Sequence, residues 1–298
     1  AGGAFLDCLM ALESMCGVNL SQDEKVRRMM AYPELVYLGN GWFANFADCD
    51  ARPYISGERL QYAGEKTGNP ALVRMGAEMW GSPMKELNDT PHLSRVLMRI
   101  FARPAQVENT AVGPKDVYLP DLQVRLVQRG GMIAAMKGGH NNESHNHNDI
   151  GTFILYAGDV PMFVDAGVGT YTKKTFSKDR YTIWSMRSEW HNLPVINGIF
   201  QHDGAMFRSS DVSVSFKKNA YRFSLDIAGA YDEESDCNFW KREYLLKQDE
   251  LTITDTYSLK SREAADVENF LVQGSVFLPG ETTPEGYLVR NGETVVIN

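Results

Sequence analysis

Between Phe5 and Ala102, apolar side chains recur every three or four positions, the spacing of one face of an α-helix. The punctuation agrees. A first helix is predicted over residues 5–15, stopping at Gly17, and a second over 23–37, opening after Ser21. A third, over 56–67, ends before Gly68. Asn69-Pro70 then supplies a capping side chain and a residue whose φ already suits a first turn, so a fourth helix is predicted over 71–80. Thr90-Pro91 repeats the device ahead of a fifth over 92–102. Five helices joined by moderate loops predict an all-α layer of stacked hairpins.

Past Pro104 the pattern changes to alternation and β-branched runs. Strands are predicted over 117–129 and 132–137 around Gly130-Gly131, over 153–157 and 161–164 around Gly158-Asp159, and over 287–290 and 294–297 around Asn291-Gly292. Further strands are expected over 212–216, 220–227, 242–247, 251–258 and 267–273. The whole is a chain of α and β parts: helices over 1–105, then a large antiparallel β-sandwich over 106–298, with a linker near 103–115 where Pro104 and Pro114 fall. The opening at Ala1-Gly2-Gly3 without a Met, and the close in mid-strand at Asn298, lead us to expect a piece trimmed at both ends.

Composition narrows the partners. With 298 residues, 43% of them hydrophobic, the chain can bury one large core or two moderate ones. A formal net charge of −8 argues against nucleic acid or a membrane surface as a partner held by bulk charge, because both need a basic face. No apolar stretch is long enough for a membrane-spanning helix. A polyanion would need a local basic patch. Residues 172–187 offer one, with Lys173, Lys174, Lys178, Arg180 and Arg187 against Asp179; ordinary solvated loop charge is the alternative. The aromatic and amide-rich run 39–46 reads either as a sugar-stacking surface or as packing against the next hairpin. Cys8, Cys16, Cys49 and Cys237 lack a C-x-x-C pair and are expected as free thiols.

The candidate chemistry lies in the histidines. Of six in the chain, His140, His145, His147, His191 and His202 fall in one stretch of the β part. His145 and His147 are two apart, so an extended backbone would turn both rings to one side. Asp165 follows the apolar run Pro161-Met162-Phe163-Val164, where an unpaired carboxylate would be costly to bury. His191 completes a set of two imidazoles and one carboxylate, which suits a borderline cation such as zinc and leaves a fourth position open. Read from spacing alone, the same residues form either a divalent-metal site or a hydrogen-bonded histidine cluster.

Three blocks then carry a resemblance: G-G-H-N-N-E-S-H-N-H-N-D-I-G-T-F-I-L-Y, F-V-D-A-G-V-G-T-Y and R-Y-T-I-W-S-M-R-S-E-W-H-N-L-P-V-I-N-G, in order over residues 138–198. The run resembles the heparinase II/III-like lyases of heparin, heparan sulfate and alginate. The resemblance implies a partial (α/α) toroid followed by the β-sandwich, and a zinc ion on His147, Asp165 and His191. It implies catalysis by His145, with Tyr181, which lines the cleft in some members, as the second catalytic candidate; Asn142 and Arg180 beside them are substrate-binding candidates. The implied reaction is β-elimination on an acidic, uronate-containing polysaccharide, in the periplasm or outside the cell. The family's carboxylate-binding residue and proton-moving tyrosine come from earlier toroid helices, so both are expected upstream of residue 1. A carbohydrate-binding module with a structural metal and a metal-dependent hydrolase are the competing classes.

Overall fold

The computed structural model describes residues 2–80, 93–107, 116–158, 160–248, 250–264, 266–272 and 295–297. Its contacts divide the chain into two compact units, one of Ala1–Phe43 with Arg52–Pro114, the other of Ala44–Ala51 with Lys115–Asn298. Eight residues from inside the helical stretch thus group with the β unit.

In the first unit, helices α1 (Gly2–Cys16), α2 (Glu24–Leu35), α3 (Gly57–Thr67), α4 (Pro70–Glu78) and α5 (Leu93–Phe101) fall where the periodicity predicts. Asp23 caps α2 by accepting from the Lys25 and Val26 N–H groups, and Asn69 caps α4 by accepting from Ala71 and Leu72. Such caps are each worth about 1 kcal/mol. Helices α3 and α4 form a tight hairpin: a Cβ added at Gly76 would lie 2.6 Å from the Gly57 carbonyl oxygen, so only glycine lets the two backbones meet. Helix α2 stops two residues short of its predicted end. Tyr37 is drawn instead into a small hairpin of β1 (Tyr37–Gly39) and β2 (Trp42–Phe43), which buries Tyr37 and Phe43. The aromatic run expected as a loop is therefore partly strand. Among the described residues the helices close no toroid.

The second unit holds two five-stranded antiparallel sheets. One runs in the order β3 (Asp116–Leu119), β4 (Val124–Arg129), β5 (Met132–Lys137), β7 (Phe153–Ala157), β8 (Val160–Phe163); between β5 and β7 lies the two-residue β6 (His140–Asn141). The other sheet follows the short β9 (Pro194–Val195) and β10 (Gly204–Arg208). It runs β11 (Ser210–Lys217), β12 (Ala220–Asp226), β13 (Cys237–Leu246), β14 (Leu251–Leu259), and then, after β15 (Val267–Glu268), which pairs with β9 instead, β16 (Val295–Ile297). Alternation decides which side chains meet. Met132, Ala134 and Met136 of β5 and Phe153 and Leu155 of β7 join Phe223, Leu225, Tyr244, Leu251 and Ile253 of the second sheet in one core. The opposite face of β5 is buried too, and it carries Lys137.

Two strand expectations change. The run 117–129 is two strands, broken by a turn in which Gln123 takes φ 51°. Of the strand expected over 267–273, Val267–Glu268 pairs with β9 as β15 and Val272 forms an isolated bridge with Phe163, the Leu271 N–H between them going to the Asn192 side chain; residue 273 lies outside the described residues. Residues 287–290 lie outside the described residues, while Val295–Ile297 pairs with β14. Among the described residues, no helix is long and apolar enough to cross a membrane.

Candidate functional site

Three loops of the β unit converge: residues 142–150 after β6, residues 164–193 after β8, and the segment Ala44–Ala51. The second of these is held by successive single turns of 3-10 helix at Lys174–Phe176, Arg180–Thr182, Trp184–Met186 and Ser188–Trp190. The Asp48 N–H donates to the His145 carbonyl (3.3 Å), and the Asn45 amide donates to the Asp165 carbonyl (3.3 Å), so the early segment is stitched to both of the others.

At the centre is Asp48, whose side chain is 1% exposed. One carboxylate oxygen, Oδ1, faces His147 Nε2 at 3.0 Å and accepts from Arg180 Nη2 at 2.7 Å. The other, Oδ2, faces His145 Nδ1 at 3.0 Å and accepts from the Tyr171 hydroxyl at 3.1 Å. Burial pushes the Asp48 carboxyl up, but hydrogen bonds from His147, Arg180 and His145 and the Arg180 charge outweigh it and hold it well below the usual carboxylate range. Asp48 is therefore an anion at neutral pH. The two histidines do not reach it from an extended strand. His145 sits in a turn at φ 63°, and that left-handed residue, not a two-residue repeat, brings both rings onto one carboxylate.

Beside this group, Asp165 Oδ2 lies 2.9 Å from His191 Nδ1, and Oδ1 accepts from the Gly167 N–H at 2.8 Å. Gly167 takes φ 58° and a Cβ there would lie 3.1 Å from the Cys49 carbonyl oxygen, which explains the glycine of the D-A-G turn. Burial raises the Asp165 carboxyl, yet the charges of His191 and His147 bring it below its ordinary value. For His191 burial depresses the ring, and the Asp165 carboxylate reverses that and raises it. A further buried pair, Lys137 with Asp149, lies close enough for Asp149 to act on His191 electrostatically.

The metal expectation can be tested on these atoms. His147, Asp165 and His191 are all buried, and their candidate ligand atoms lie within 4.8 Å of one another. His147 Nδ1 and His191 Nε2 are buried without a hydrogen-bond partner among the described residues. Two imidazole nitrogens with unused valence next to a buried carboxylate fit a divalent cation, and they fit a closed hydrogen-bonded cluster poorly, since such a cluster would satisfy them.

The family model for the C-terminal part of heparinase II/III-like proteins matches residues 114–292. The chain belongs to the heparinase II/III-like family. Solved structures agree at the level of fold. The heparan sulfate lyase HepC from Pedobacter heparinus is 12% identical with a TM-score of 0.55, and a structure described as heparinase III is 14% identical with a TM-score of 0.56. Each match covers 87% of this chain, and the chain spans only 37% and 38% of those two structures. No curated protein sequence matches it.

Within this heparinase II/III-like chain, the residues singled out from sequence separate clearly. His145, His147 and Arg180 meet on Asp48, and Asp165 and His191 meet beside His147. Tyr181 stands one step away, its hydroxyl accepting from the Asn146 amide at 3.3 Å. Asn142 is exposed, its N–H donating to His140 Nδ1, and among the described residues it is not drawn into the network. Sequence reading missed Asp48 and Tyr171. Tyr171 ends the F-V-D-A-G-V-G-T-Y block, and its ring stacks on His145 with centroids 6.4 Å apart. Asp48 follows the aromatic run 39–46, so a carboxylate next to a segment already marked for its amides and aromatics was the available signal.

Proposed function

We propose that the protein is a polysaccharide lyase acting on acidic, uronate-containing glycans of the heparan or alginate type, outside the cytoplasm, with His145 moving a proton and a zinc ion on His147, Asp165 and His191. Family membership supports the lyase class, and the observation that carries the role of His145 is its setting. Its ring is anchored through Nδ1 to the buried Asp48, while 55% of the side chain stays exposed to a reacting partner. Lys173, Lys174 and Lys178 are exposed on the same loop as Arg180 and give the acidic chain a local patch for a polyanion.

In β-elimination a base takes the proton from carbon 5 beside the uronate carboxylate. The C5–H electron pair becomes the C4–C5 double bond, and the C4–O bond breaks with its electrons going to the leaving oxygen, which takes up a proton. His145, with one nitrogen tied to Asp48, has its other nitrogen for such a transfer. Arg180 and the lysines favour the charge that builds on the carboxylate during proton removal. A bound zinc ion would supply a fixed positive charge that cross-links the loops bearing His147, Asp165 and His191 and so holds His145 in place.

The test is ultraviolet absorbance of the unsaturated uronate product, with heparin, heparan sulfate and alginate as substrates and the His145→Ala variant alongside. A rise on one of them, lost in the variant, is the expected result. New reducing ends without that absorbance would mean hydrolysis, and saturable binding with neither would mean a binding module; either overturns the proposal.

A further inference from the structure

Asp48 carries four hydrogen-bonding neighbours, two at each oxygen: His147 and Arg180 at Oδ1, His145 and Tyr171 at Oδ2. A carboxylate has about four lone-pair positions, so this one is filled. Being an anion it only accepts, and each ring nitrogen that faces it must bring a proton. We infer that Asp48 is the positioning residue that sets the tautomers of both histidines in H-N-H, protonating His147 on Nε2 and His145 on Nδ1.

The consequence differs for the two rings. His147 is left with a lone pair on Nδ1, the buried nitrogen that lacks a hydrogen-bond partner, and this is the atom it can offer to a cation together with Asp165 and His191. His145 is left with a lone pair on Nε2, the form a proton-abstracting base requires. One carboxylate thus couples the metal ligand to the proton-transfer residue, although it lies nearly a hundred positions earlier in the chain. Arg180 acts through Asp48 in the same sense: its guanidinium keeps the carboxylate charged and holds the 142–147 loop by donating to the Asn146 carbonyl at 2.9 and 3.1 Å. The role of His145 rests on the lyase reading; the tautomers do not.

The decisive measurement is a long-range proton–nitrogen correlation spectrum of the metal-free, nitrogen-15-labelled protein at about pH 8, where neutral imidazoles dominate. His147 should show an Nε2-bound proton and His145 an Nδ1-bound one, the less common form for a free side chain in water. Finding either ring in the opposite tautomer overturns the inference. In Asp48→Asn the amide offers an acceptor to one side only, so at least one ring should change tautomer. Zinc affinity, measured by competition with a chromophoric chelator, should fall about 10- to 100-fold, the usual cost of removing a partner of a metal ligand. Unchanged affinity with unchanged tautomers also overturns it. On any uronate glycan the wild type cleaves, kcat should fall in Asp48→Asn while KM stays within about twofold, and Asp48→Glu should recover part of the loss. If Asp48→Asn does not fold, the wild-type spectrum alone decides. A wild type with the expected tautomers and no eliminase activity would remove the lyase reading and leave this inference standing.

Discussion

Replacing Lys137 with methionine isolates the buried ion pair under the histidine site. Lys137 Nζ contacts Asp149 Oδ1, and the two side chains are 3% and 0% exposed. Burial alone would depress the lysine, but the Asp149 charge more than compensates and keeps it cationic. The second Asp149 oxygen already lacks a partner among the described residues, so the carboxylate depends on this one lysine. Lys137→Met therefore leaves an uncompensated buried charge, at a cost of about 3–5 kcal/mol. For a unit of this size each kcal/mol lowers the melting midpoint by about 2–4 °C, giving a drop of about 6–20 °C by calorimetry or circular dichroism. The double variant Lys137→Met/Asp149→Leu removes both charges and should recover most of the loss. A Lys137→Met cost under about 1 kcal/mol, or a double variant as damaged as the single one, would refute the claim that the pair is an interdependent buried unit.

Other expectations follow from the same contacts. Chelator-washed protein reloaded with zinc should hold about one ion per chain by mass spectrometry, as a three-ligand site with an open position does, and His147→Ala should hold none; equal zinc in both would exclude His147 as a ligand. Because the Asp48 carboxyl is depressed in the fold, its stabilisation is complete above about pH 4 and is lost as pH falls below that. Urea midpoints taken between about pH 3 and 7 should fall more steeply on acidification in the wild type than in Asp48→Asn. Burial, with help from Asp50 and Asp165, pushes the Cys49 thiol up to about 11, and burial with Asp226 and Asp266 pushes Cys237 up to about 12. Iodoacetamide at neutral pH should label the exposed Cys8 and Cys16 well before either; prompt labelling of Cys49 or Cys237 would contradict the packing around them.

The helices are legible from local signals, Asn69 at the N-cap of α4 and Gly68 at φ 69° to end α3, although the cap of α2 is Asp23 rather than a residue at Ser21. The central strands were legible for the same reason, their alternation being that of buried faces. What escaped depended on partners distant in sequence. Tyr37 reads as a helical residue until Phe43 pairs with it, and Leu271 reads as a strand residue until the Asn192 side chain takes its N–H. The site shows the same divide. His147, Asp165 and His191 were found by residue type, whereas Asp48 has no pattern of its own and acquires meaning only when residues 142–150 fold back over it. The convergence of His145 and His147 was foreseen for a reason that does not hold, since a left-handed turn rather than strand alternation produces it.

The grouping of Ala44–Ala51 with Lys115–Asn298 bears on how this architecture can be inherited. A β unit that lay wholly downstream would be a cassette, free to be spliced behind any helical partner. Here the stretch Arg52–Pro114 is a loop closed at both ends by the β unit, and recombination anywhere within it separates Asp48 from the histidines it orients. Closing a loop of that length costs little more than closing one half as long, so the arrangement is cheap to keep once made. It is also hard to lose piecemeal: exchanging the sandwich without its upstream octapeptide would give a folded graft whose histidines lack their anchor, and lineages should pass the two segments on together.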